Sequence, residues 1–115
     1  MILAGDIGGT KTHLILFRVE GGQLIQVQQE IFPSQAYAGP EEVIQGFLLK
    51  SEGTIESACL GVAGPVLDGR CETTNLPWIV DSKKIGKTFG IPRVVLLNDL
   101  EATAYGALGL TEKEY

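Results

Sequence analysis

The stretch ILAGDIGGTKTHLILFRV, residues 2–19, decides how the rest of this chain is read. Ile2 to Ile7 is a short apolar run that reads as a strand, and it delivers the acidic Asp6 close to two glycines, Gly8 and Gly9. Thr10, Lys11 and Thr12 follow, and then His13 to Val19 is a β-branched and aromatic run that reads as a second strand. The glycines therefore sit in a strand–turn–strand hairpin. A P-loop is excluded, because it needs G-x-x-x-x-G-K-[ST] running into a helix, and here the lysine follows Thr10. Glycines let backbone N–H groups approach an anion closely, and a hydroxyl and an ammonium beside them add donors. A carboxylate at a strand end can hold a hydrated magnesium ion. DIGGTKT thus contains the parts of a nucleotide phosphate site, and it also fits an ordinary Gly-Gly hairpin turn without a ligand.

Outward from the hairpin, Gly21-Gly22 leads into a third strand over Gln23–Phe32, stopped by Pro33. Its alternation puts Ile25, Val27 and Ile31 on an apolar face and Gln26, Gln28 and Glu30 on a solvated one, completing a meander. After a loop over Ser34–Gly39, Pro40 starts a helix with Glu41 and Glu42 at its positive end. Val43, Ile44, Phe47 and Leu48 carry its apolar face to about Lys50, with Gly46 costing roughly 1 kcal/mol inside it. Ile55 to Val62 returns as a strand. The strand–helix–strand order implies a crossover, hence an α/β domain with a mixed sheet. Leu67-Asp68-Gly69-Arg70 reads as a turn, with Cys71–Thr74 as a short returning strand. Asp81 or Ser82 caps a helix carrying Ile85 and Phe89, closed by Gly90 and Pro92. Val94–Leu97 has the continuous aliphatic character of a strand buried on both faces. A last helix is expected to carry Leu100, Ala104, Ala107 and Leu108 on one side.

Composition narrows the function classes. A chain of 115 residues, 44% hydrophobic, is about one globular domain. Its net charge of −5, with no run of Lys or Arg, argues against nucleic acid as a partner. The apolar runs are too short for a membrane-spanning helix, and no leader pattern precedes them. Cys59 and Cys71 form no CxxC, which fits a reducing cytoplasm, and the lone histidine, His13, reads as a strand residue.

Two further polar clusters carry chemistry. Thr73-Thr74-Asn75-Leu76-Pro77-Trp78 groups hydroxyls, an amide and an aromatic ring, which suits a neutral polyol. The same residues could form a locally bonded turn with Trp78 as a core anchor. Asn98-Asp99 stands where a buried strand meets a helix, the place where ligands collect in open α/β sheets. Asn98-x-x-Glu101 also resembles a capping box, and the two readings are compatible.

Taken in this order over all 115 residues, DIGGTKT, GVAGPV, TNLPW and LNDLEATAYG resemble the N-terminal domain of the bacterial glucokinases. The resemblance implies an α/β, ribonuclease H-like (actin-like ATPase) small domain with a mixed five-stranded-type sheet and flanking helices, spanning residues 1–115. It implies ATP and Mg2+ as cofactors and transfer of the γ-phosphoryl group to the 6-hydroxyl of glucose. Asp99 would be the general base, and Asn98 would bond neighbouring sugar hydroxyls. Asn75 and Thr74 would line the sugar pocket, bordered by Gly64-Pro65. Gly8, Gly9 and Thr10 would hold the transferring phosphate, with Lys11 facing either phosphate or solvent, and Asp6 would position the magnesium ion through water. The second phosphate loop, the adenosine site and further sugar ligands would come from a larger C-terminal domain. The chain is therefore expected to be a fragment, inactive alone, of a cytoplasmic enzyme that is a homodimer at full length. Kinases for other hexoses or N-acetylhexosamines share the hairpin, but TNLPW followed by NDLEATAYG fits the glucokinase type better. A sugar-responsive repressor on the same fold would carry a helix-turn-helix before the hairpin, and Ile2 already begins the first strand. A non-catalytic polyol- or phosphate-binding module would keep the turns and lack the base.

Overall fold

The computed structural model describes residues 1–51 and 53–98. Asp99 and the helix expected after it lie outside the described residues. Strand β1 (Ile2–Ile7) pairs antiparallel with β2 (Lys11–Glu20), and β2 with β3 (Gln23–Pro33), so the N-terminal meander is as expected, with β2 longer at both ends. Helix α1 (Pro40–Leu48) crosses back to β4 (Ser57–Val62), which lies parallel to β1. β5 (Arg70–Glu72) and β6 (Ile79–Asp81) form a separate two-stranded ribbon. Helix α2 (Ser82–Phe89) then leads into β7 (Arg93–Leu97), parallel to β4. Among the described residues the main sheet has five strands in the order β3-β2-β1-β4-β7, a mixed sheet with β1 at its centre.

Strand alternation and register put Leu3, Ile7, Leu14, Leu16, Phe32, Ala58, Leu60, Val62 and Leu96 on one face. These same residues form one core with Val43, Ile44 and Phe47 of α1, Ile85 of α2 and Val80 of the ribbon. Both helices thus cover a single face. The opposite face carries Ala4, Asp6, His13, Ile15 and Phe17, so Asp6 points away from the core. Helix ends follow local chemistry. Asp81 Oδ1 accepts from the N–H groups of Lys83 and Lys84 at 2.9 and 3.3 Å, and Gly90, at φ 65°, closes α2 in the left-handed conformation that glycine tolerates best.

Three readings of the sequence need correction. In β3 the apolar face is not the inward one: Ile31 and Val27 are 58% and 40% exposed. The register slips between Leu16 and Phe17, which pair with Gln28 and Gln26 and leave Val27 as a bulge. Gln28, Glu30 and Phe32 turn toward α1 instead, and Gln28 Nε2 donates to the Phe47 carbonyl at 2.8 Å, filling a vacancy in the last turn of that helix. Second, β7 is not buried on both faces. Among the described residues it pairs only with β4, and Leu96 alone on it is buried. Third, the short strand after the Asp68-Gly69 turn ends at Glu72 and pairs with Ile79–Asp81, a strand whose Ile79-Val80 pair was the available signal. Among the described residues, no helix is long and apolar enough to cross a membrane.

Candidate active site

Three parallel strands end together. Ile7 at the end of β1 is level with Val62 at the end of β4, and Leu97 at the end of β7 is level with Gly61. The segments that follow, Gly8–Thr10, Ala63–Pro65 and Asn98, therefore leave the sheet at one edge, the position where α/β sheets gather ligands. The first is a tight turn in which the Gly8 N–H donates to the Lys11 carbonyl at 2.9 Å. Thr10 and Lys11 are exposed. Among the described residues, no protein group accepts from the N–H of Gly9 or of Thr10.

The TNLPW segment meets this turn directly. A Cβ added to Gly9 would stand 2.6 Å from Asn75 Cβ, so glycine is needed at position 9 for the approach. The segment is held by its own hydroxyls. Thr73 Oγ1 donates to the Leu76 carbonyl at 2.9 Å, and the N–H and Oγ1 of Thr74 both donate to the Ala63 carbonyl, at 3.0 and 2.9 Å. Trp78 is 3% exposed and its Nε1 donates to the Tyr37 carbonyl at 3.2 Å, so it is a core anchor and not a wall for a ligand. Asn75 is left exposed, with no hydrogen bond to the described chain. Gly64 adopts φ 143° with Glu72 O and Cys71 Sγ 3.0 and 3.2 Å from where a Cβ would be, and Pro65 beside it is exposed.

Asp6 lies one residue before the end of β1, level with Gly61 on one side and His13 on the other. Burial raises its pKa from 3.8, and the neighbouring His13 acts in the opposite direction. His13 itself is steadied by Gln29, its Nε2 lying 3.1 Å from Gln29 Oε1. A single carboxylate beside a glycine turn is a donor arrangement that suits magnesium, which keeps several waters and is bound through one or two carboxylates plus substrate phosphates. Of the residues singled out in the sequence, Asp6, Gly8, Gly9, Thr10, Gly64, Pro65, Thr74, Asn75 and Asn98 thus collect at one end of the sheet. Lys11 begins β2, pairs with Pro33, and makes no ion pair among the described residues, and Asp99 lies outside them. Sequence reading missed Thr12 and Ser34, whose buried hydroxyls are 2.8 Å apart beneath the turn. An open groove of about 770 Å³ lined by Pro65, Arg70, Glu72, Asp81 and Lys83 includes, of the candidate site residues singled out in the sequence, only Pro65.

Comparison with known proteins covers nearly the whole chain. The Glucokinase family model matches residues 3–115. A glucokinase of Nostoc punctiforme is 38% identical, the match covering 99% of this chain and 34% of the relative. A glucokinase of Photorhabdus laumondii is 29% identical, over 96% of this chain and 34% of its own length. Among solved structures, a glucokinase from an Antarctic psychrotroph superimposes with a TM-score of 0.79 at 28% identity, covering 92% of this chain and 34% of that one. A ROK family glucokinase from Streptomyces griseus, in complex with glucose and AMPPNP, shares the fold with a TM-score of 0.63 at 23% identity, over 97% of this chain and 37% of that one. The chain spans about a third of the length of the curated relatives it matches.

Proposed function

The chain belongs to the glucokinase family, and on that premise we propose that it is the N-terminal small domain of an enzyme that phosphorylates glucose at its 6-hydroxyl from ATP. The observation that carries this reading is the contact between Gly9 and Asn75, which puts a turn with two N–H donors unpaired among the described residues against an exposed amide. A phosphate and a polyol bound there would be neighbours, and phosphoryl transfer depends mainly on positioning and charge stabilisation. The N–H groups of Gly9 and Thr10 hold the transferring phosphate. Asn75 and Asn98 bond sugar hydroxyls, while Gly64 and Pro65 border the pocket. Thr74, whose hydroxyl already donates to Ala63, shapes that loop and retains only acceptor capacity toward a sugar.

Asp99 accepts the proton of the attacking hydroxyl, worth about 10²–10⁴-fold as a general base. Asp6 would hold a magnesium ion, which when bound with ATP would neutralise charge on the phosphates. The test is a coupled kinase assay on the full-length gene product with ATP and magnesium against glucose, mannose, fructose and N-acetylglucosamine. Strong preference for glucose is expected, and Asp99→Asn should retain sugar binding while losing most turnover. Preference for another hexose would replace the substrate and keep the mechanism. Phosphorylation of no sugar would overturn the reading.

A further inference from the structure

We propose that Ser34 is a positioning residue of the phosphate-binding turn and that Thr12 acts through it. The inference rests on the functional reading above for what the turn holds, and on hydrogen-bond directions for how it is held. Ser34 follows the strand-ending Pro33, is 0% exposed, and lies under the turn. Its Oγ donates to the Gly8 carbonyl at 2.7 Å, and its N–H donates to the Thr10 carbonyl at 3.0 Å. Thr12, 1% exposed, has its Oγ1 2.8 Å from Ser34 Oγ.

A carbonyl can only accept, so the single hydroxyl proton of Ser34 belongs to the Gly8 bond. The remaining bond then has one possible direction: Thr12 O–H donates to Ser34 Oγ. The chain Thr12 to Ser34 to Gly8 is therefore polarised toward the turn, with each donation strengthening the next. Its effect is geometric. In a planar trans peptide the C=O and the following N–H point in opposite directions. Drawing the Gly8 carbonyl inward to Ser34 turns the Gly9 N–H outward, and that N–H has no acceptor among the described residues. The same inward pull removes a carbonyl dipole that would otherwise repel an anion. Glycines at positions 8 and 9 make this peptide easy to rotate, so an external clamp is needed to fix its sense. Ser34 supplies it from a different loop.

The test uses the full-length protein with Ser34→Ala, Thr12→Val, Thr12→Ser and the double variant Ser34→Ala/Thr12→Val. Loss of one preorganised donor to a developing oxyanion costs about 10²–10³-fold, so a donor left in place but unclamped is expected to cost ~10–100-fold in kcat/KM for ATP. Glucose affinity without nucleotide should stay within about twofold of wild type, because Asn75 and Asn98 are not clamped by Ser34. That split would not arise from a general loss of stability. Thr12→Ser should keep near-wild-type ATP kinetics and Thr12→Val should not, and in the Ser34→Ala background Thr12→Val should add nothing. Wild-type ATP kinetics in Ser34→Ala, or equal weakening for ATP and glucose, overturns the proposal. Should Ser34→Ala fail to fold, equal behaviour of Thr12→Val and Thr12→Ser overturns it instead. If the wild-type protein phosphorylates no sugar, the functional reading falls separately. ATP affinity by calorimetry then decides this one, and equal affinity in wild type and Thr12→Val, or none in either, counts against it.

Discussion

The Asp6 carboxylate stands on the face of the sheet away from the core, where burial raises its pKa from 3.8 and His13 only partly offsets the cost. A raised pKa means the native state keeps a proton that the unfolded chain has already released. Stability is therefore highest below the unfolded value and falls as pH rises through the folded one. Asp6→Asn removes the buried charge. Without magnesium, it is expected to melt above wild type at about pH 7, the gap closing toward about pH 4, whereas in the full-length protein with magnesium the proposed role of Asp6 predicts that Asp6→Asn lowers phosphorylation of glucose. A wild-type protein that melts higher at neutral pH would refute the assignment. Cys59 shows the same logic at the alkaline end, its thiol pushed from 9.0 up to about 11 by burial. The unfolded chain loses that proton first, so stability should decline between about pH 9 and 11, and Cys59→Ala should flatten this part of the profile. The glycines of the turn and Asn75 were legible in the sequence because each sits in a compact motif. Thr12 and Ser34 were not, since a hydroxyl's role there depends on which carbonyls the fold brings above it.

Helices α1 and α2 each contain one glycine, and the packing around them assigns opposite signs to the same substitution. At Gly46 of α1 a new Cβ would meet nothing within 4 Å, so Gly46→Ala should stabilise by about 0.5–1 kcal/mol through chain entropy. At Gly86 of α2 the Cβ would stand 2.9 Å from the Ile91 carbonyl oxygen, a backbone atom that cannot swing aside. Gly86→Ala should therefore destabilise in spite of alanine's higher propensity. Urea denaturation of both variants checks the pair, and two shifts of the same sign would contradict it. Helix limits were readable because caps and breakers act locally: Pro40, Asp81 and Gly90 stand where expected. The inward face of β3 was not, because alternation gives two faces without saying which one a helix will cover. There Gln28 serves the end of α1, a need that no property of β3 itself records.

Across the whole molecule, the mixed sheet could be derived from element order, whereas the meeting of Gly9 with Asn75 could not, because it depends on how the loop after β5 folds back over the sheet edge. That contact also sets an expectation. On the function proposed, Gly9→Ala in the full-length protein should drive the two loops apart and raise KM for ATP and for glucose together, since ångström-scale misplacement can cost about 10²-fold. A change confined to one substrate would show that the loops act independently. The central place of β1 reaches beyond the finished structure. Its partner on one side, β2, is its immediate successor, but its partner on the other side, β4, begins only at Ser57. As the chain leaves the ribosome, β1 must wait with one row of backbone groups unpaired beside apolar side chains. The nascent meander is thus an open template for another chain until β4 emerges, and pairing with a second copy is a hazard during that interval of synthesis.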